Sequence, residues 1–131
     1  MFALDQKLQA DTFFVHDFKI STLLLSNNAN YPWLILVPRQ AGLVELTDLS
    51  FEDQTEVLRE INVVSELLQK ECKPVKLNVA ALGNIVRQLH IHIIARFEND
   101  ASFPNPVWGS DSKPYTKQEA VALINKIKSY L

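Results

Sequence analysis

Apolar and polar positions alternate with a period of two from Arg87 to Arg96, Arg-Gln-Leu-His-Ile-His-Ile-Ile-Ala-Arg, and this pattern predicts a β-strand. Gln88, His90 and His92 share one face of it, while Leu89, Ile91 and Ile93 share the other and can pack on a core. The same reading predicts strands over Thr12–Phe18, Thr22–Leu25, Trp33–Val37 and Leu77–Ala81, each bounded by turn residues or proline. The cluster Ser26-Asn27-Asn28-Ala29-Asn30 is short enough to make an antiparallel hairpin of the second and third strands.

A different period marks the middle of the chain. Val57, Leu58, Ile61, Val64, Leu67 and Leu68 recur at steps of three and four, predicting a helix from about Phe51 to Glu71 with one apolar stripe against a sheet. Ser50 can cap it through the N–H of Asp53, and Pro74 stops it. A short amphipathic helix is expected between Phe2 and Ala10, with Phe2, Leu4 or Leu8 inward. Thr116 and Glu119 form a capping box for a last helix through Ser129, with Val121, Leu123, Ile124 and Ile127 as its apolar face. This order of elements implies an α+β fold in one domain spanning 1–131: an antiparallel sheet of about five strands, one long central helix, short terminal helices, and helices on one side.

Composition narrows the function classes. At 131 residues, with 47% hydrophobic and 21% charged positions and a net charge of -2, the chain has an ordinary globular profile. It lacks the basic field that would hold a long nucleic acid by its phosphates. The N-terminus shows no basic start followed by a long apolar run, and no apolar segment approaches the roughly 20 residues of a membrane-spanning helix. A lone cysteine, Cys72, leaves neither an intrachain disulfide nor a multi-cysteine zinc site, so a reducing, cytoplasmic setting is expected.

Two of the three histidines lie in the alternating stretch, where Thr, Val or Tyr would stabilise a strand better, so a site is expected there. The segment Gly83-Asn84-Ile85-Val86-Arg87-Gln88-Leu89-His90-Ile91-His92-Ile93-Ile94 resembles the signature of the histidine triad (HIT) family of nucleotide hydrolases and transferases. Gln88 stands where the first histidine would be, and His90 and His92 match the second and third. Tyr31 to Arg39, the helix after it and Asn78 fall in the family's order, so the resemblance runs from about residue 10 to residue 109.

The resemblance implies a hydrolase of nucleoside phosphoramidates or dinucleoside polyphosphates, acting at the α-phosphate through a nucleotidyl-histidine on His90. His92 would donate a hydrogen bond or a proton. Asn84 would supply the phosphate-binding amide, Ile85 replaces the hydroxyl residue beside it, and Asn78 matches the family's asparagine on the preceding strand. Asn27 or Asn28 could meet ribose or base, and Trp108 could stack on a base. Gln88 can donate to a phosphate oxygen but cannot become cationic, so slow turnover with retained affinity is expected. The implied partners are a purine nucleotide or nucleotide conjugate and a second copy of the chain, with no cofactor and no metal.

Two other readings stay open. One is a nucleotide-binding module without turnover, given Gln88 and Ile85. The other is a metal site built on His90, His92 and Glu98, with His16 as a further ligand, of the cupin kind, though three glycines and two substantial helices suit a cupin barrel poorly.

Overall fold

The computed structural model describes residues 1–131. Five antiparallel strands form one sheet: β1 (Thr12–Asp17), β2 (Ser21–Ser26), β3 (Trp33–Pro38), β4 (Lys76–Ala80) and β5 (Ile91–Arg96), in the order β1-β2-β3-β5-β4. Three α-helices accompany it: α1 (Gln6–Asp11), α2 (Phe51–Cys72) and α3 (Lys117–Lys128). The α+β reading, with its long central helix, therefore holds.

Each strand of the centre is buried on both faces. Leu23 and Leu25 of β2, Leu34 and Leu36 of β3, and Ile91 and Ile93 of β5 face a main core with Val57, Val64, Leu67 and Leu68 of α2 and Ile127 of α3. Their neighbours in sequence, Leu24, Trp33, Ile35, Val37 and Ile94, face a second, smaller core. Leu8 of α1 belongs to that second core, so the expectation that all helices lie on one side is corrected: α1 covers the face opposite α2. Its start is also later than expected. Asp5 caps α1 by accepting from the N–H groups of Lys7 (2.8 Å) and Leu8 (3.3 Å), which leaves Phe2 and Leu4 outside the helix.

The long helix begins as read, with Ser50 accepting from Asp53 N–H at 3.1 Å. It ends at Lys73 in the left-handed region, just before Pro74. One stripe position differs. Leu58 is exposed, and Glu60 is buried in its place because its carboxylate accepts the Ile20 N–H at 2.8 Å. The capping box of α3 is present, but Val121 points to solvent while Ala120 and Ile127 are buried.

The most consequential difference lies in the histidine stretch. Strand β5 begins only at Ile91, so residues 87–90 are an irregular approach to it and His92 alone of the polar trio is on the strand. Leu89 is nevertheless buried in the main core, and its N–H bonds to Leu43 O at 3.0 Å. That anchor fixes the approach without any sheet pairing. No helix is long and apolar enough to cross a membrane.

Candidate active site

On the second-core side, a cavity of about 400 Å³ opens between α1, the 82–86 loop and the end of the 97–110 loop. His90, His92, Trp33, Ile35, Asn84 and Trp108 line it, as do Lys7, Leu8, Asp11 and Thr12 from α1 and the residue after it. Gly83, at φ 70°, takes the left-handed conformation that lets the loop turn beside the histidines. Lys7 is the one Lys or Arg along these walls, and its ammonium is paired with Asp11 at 3.0 Å.

Each imidazole has one nitrogen committed. His90 Nδ1 lies 2.7 Å from the main-chain carbonyl of Gln88; a carbonyl only accepts, so Nδ1 carries a proton and the neutral tautomer has its lone pair on Nε2. His92 is the opposite case. Trp33 Nε1–H donates to His92 Nδ1 at 2.9 Å, and an indole N–H only donates, so the neutral ring carries its proton on Nε2. Burial, with a smaller contribution from the neighbouring His90, pushes the His92 pKa down to about 3, which keeps it neutral in neutral solution. The two rings meet edge to face, with centroids 4.8 Å apart. Trp108 packs edge-on against His92 at 5.0 Å and Trp33 at 5.7 Å, which holds the His92 ring between two indoles.

The structure brings His90, His92, Asn84 and Trp108 together and leaves three named residues elsewhere. Gln88 is turned to the N-terminal segment: its Nε2 donates to Ala3 O and its Oε1 accepts from Asp5 N–H, both at 2.8 Å. Its side chain is occupied there and does not line the cavity. Asn78 pairs with Ile94 across the sheet and accepts from Arg96 Nη1 at 2.8 Å, so it supports the buried Arg96 rather than the cavity. Asn27 accepts from Tyr115 N–H at 2.8 Å and lines an adjoining hollow of about 300 Å³, which shares Asp11, Ser26 and Trp33 with the first. Asn28 lines the same hollow, and Ile85 lines the cavity with its side chain largely in solvent.

For the metal alternative, no group of three or more His, Cys, Asp or Glu side chains is placed to hold an ion. His16 packs instead on Phe18, with ring centroids 4.8 Å apart. Sequence reasoning missed Trp33, treating it as one apolar residue of a strand. Its partnership with His92 depends on β3 lying beside β5, where Ile35 pairs with His92 and Trp33 with Ile94.

A family model described as HIT domain matches residues 7–99 of the chain. The chain belongs to the HIT domain family. Among solved HIT structures, a histidine triad protein from Bradyrhizobium japonicum is 42% identical, with 98% of this chain and 97% of that one covered at a TM-score of 0.95. A histidine triad (HIT) protein from Sinorhizobium meliloti 1021 is 39% identical over 99% and 97%, with a TM-score of 0.96. A Plasmodium falciparum diadenosine triphosphate hydrolase, at 20% identity over 97% of this chain and 78% of that one and a TM-score of 0.68, shares the fold. No curated protein matches the sequence.

Proposed function

We propose that the chain is a nucleotide hydrolase or nucleotidyl transferase that acts at the α-phosphate of a nucleoside phosphoramidate or dinucleoside polyphosphate through a nucleotidyl-His90. The observation that carries this reading is the complementary pair of tautomers on adjoining rings: His90 offers a lone pair at Nε2, and His92 offers an N–H. His90 Nε2 attacks phosphorus, a P–N bond forms, and the bond from phosphorus to the leaving amine or phosphate breaks with its electron pair on the leaving group, an amine nitrogen taking up a proton from solvent as it departs. The nucleotidyl-imidazolium is stabilised by its Nδ1–H bond to the Gln88 carbonyl. Water then attacks the same phosphorus and gives up a proton to solvent, and the P–N bond breaks with its electron pair returning to Nε2, releasing the nucleoside monophosphate and neutral His90.

His92 acts by hydrogen bonding. A ring that stays neutral to about pH 3 is a poor proton carrier at neutral pH, but its Nε2–H can stabilise charge developing on a phosphoryl oxygen. Asn84 adds a second donor, and Asn27 in the adjoining hollow is assigned to the ribose or base. The aromatic wall of Trp33 and Trp108 suits a flat base or leaving group.

His90→Ala tests this assignment. Hydrolysis of a nucleoside phosphoramidate should fall by roughly a thousandfold or more, while affinity for adenosine monophosphate stays within about threefold. Parent-level hydrolysis by the variant would contradict it, and a parent that binds the nucleotide without turnover would make the protein a binding module.

The same reading includes a homodimer in the cytoplasm. Strand β4 is a free edge of the sheet with Val75 and Val79 exposed along it, and Phe51, Leu58 and Val63 of α2 are exposed as well. Sedimentation at micromolar concentration should give twice the chain mass; a monomer there would contradict the dimer.

A further inference from the structure

Gln88 occupies the first position of the triad pattern, yet it holds two other structures at once. Its side-chain amide forms a two-bond staple to the main chain of the N-terminal segment, with Nε2–H to Ala3 O and Asp5 N–H to Oε1, both at 2.8 Å. Asp5 is the residue that starts α1: its carboxylate caps the helix, and its carbonyl accepts from Gln9 N–H at 2.9 Å. From α1, Lys7, Leu8 and Asp11 form one wall of the histidine cavity. Meanwhile the Gln88 carbonyl accepts from His90 Nδ1 at 2.7 Å and so decides which nitrogen of His90 faces the chemistry.

Before α1, Phe2 and Leu4 pack part-buried on the second core, and the Gln88 amide ties the main chain. At six residues, the helix is too short to be stable alone, and its buried contact is Leu8. The far end is tied by Asn27 N–H to Asp11 O at 2.9 Å and by the Thr12 hydroxyl to Leu8 O at 2.6 Å. At the near end the tie to the main chain is the amide of Gln88. A side chain with one donor and one acceptor at its tip fits two antiparallel main-chain groups; an imidazole, with its two nitrogens on a rigid ring, cannot present the same pair.

We propose that Gln88 is a positioning residue that couples the N-terminal wall of the cavity to His90, its side chain fastening α1 over the site and its carbonyl holding the His90 ring. The functional consequence rests on the nucleotide reading above. Loosening α1 withdraws Lys7, the one cation along the cavity, and disturbs the residue that orients the nucleophile, so KM and kcat change together.

The test uses the full-length protein with Gln88→Met, which keeps the length of the side chain and loses both bonds, and Gln88→Glu, which keeps the acceptor for Asp5 N–H and loses the donor to Ala3. Amide exchange at Asp5, Lys7, Leu8 and Gln9 is followed in ligand-free protein, the His90 tautomer by nitrogen NMR, and KM and kcat with a nucleoside phosphoramidate. In Gln88→Met, exchange at Asp5 should rise by about tenfold or more, a second His90 tautomer should appear, KM should rise several-fold and kcat should fall. Gln88→Glu should show the same changes to a lesser degree. Gln88→His, which completes the triad pattern, should behave like Gln88→Met. Unchanged exchange in Gln88→Met, or a tenfold faster Gln88→His, would overturn the coupling. If the parent itself fails to bind or turn over nucleotides, the functional reading falls, while exchange and tautomer still decide whether Gln88 couples α1 to His90.

Discussion

At His92 one hydrogen bond decides which nitrogen is free, and that bond comes from a tryptophan. Trp33→Phe removes the N–H donor but keeps an aromatic ring in the same place, so His92 Nδ1 loses its partner and both neutral tautomers become accessible. We expect nitrogen NMR to show a single His92 tautomer in the parent and a mixture in the variant, with kcat lower by about tenfold. A variant that kept the single tautomer would contradict the role given to Trp33. The low pKa of His92 also has a sign for stability. Between about pH 3 and about pH 6.5 the unfolded chain binds a proton here and the folded chain does not, so the contribution is complete at neutral pH and is lost as pH falls below about 6.5. In the lower part of that range the parent should lose about 1.4 kcal/mol per pH unit more than His92→Gln, which accepts from Trp33 but cannot be protonated. Equal slopes in denaturant titrations would contradict a buried neutral His92. At this scale the sequence disclosed the adjoining histidines through their spacing, but not the tautomers, because both are set by partners that spacing does not reveal: a main-chain carbonyl and a residue 59 positions away.

The elements divide into those specified locally and those specified by contact. Helix α2 and the capping box of α3 were legible because caps and period are written in neighbouring residues. The start of β5 was not: alternation continues through Gln88 and His90, yet pairing with β3 reaches only Ile91, and the polar residues before it take other partners. The loop after β5 is likewise ordered by an unforeseen centre. Arg96 is buried, and it bonds to Asp100 through Nε at 2.8 Å and Nη2 at 3.2 Å, to Asn78, to Ser102 and to Asn105 O. Burial opposes charge on Asp100, but the Arg96 guanidinium and the N–H groups of Phe97, Ser102 and Phe103 outweigh it and hold the carboxyl well below the usual carboxylate range. Tyr31 extends the network to Ser102 and Ser110, on either side of Trp108. Arg96→Ala would leave the Asp100 carboxylate buried without its cation, and equilibrium unfolding should show a loss of about 3–5 kcal/mol. A loss below about 1 kcal/mol would mean that the network does not anchor the loop.

Over the whole molecule, a sheet with a core on each face explains why the chemistry lies where it does. One face is filled by α2 and α3, and the other is closed by the small α1, by Trp33 and by the 97–110 loop, which together leave room for a cavity over His90 and His92. The apolar period foretold the first face. The second was hidden because only β3 contributes more than one member, Trp33, Ile35 and Val37, while the rest are single residues from α1, β2, β5 and two loops, too scattered in sequence to form a pattern. The most direct measurement of the central claim is the intact mass of the protein mixed with a nucleoside phosphoramidate and quenched in alkali, where a phosphorus–nitrogen bond to histidine survives. A gain of one nucleoside monophosphate, mapped to His90 and absent from His90→Ala, is the predicted result; steady turnover by the parent with no such adduct, and undiminished turnover by His90→Ala, would contradict it.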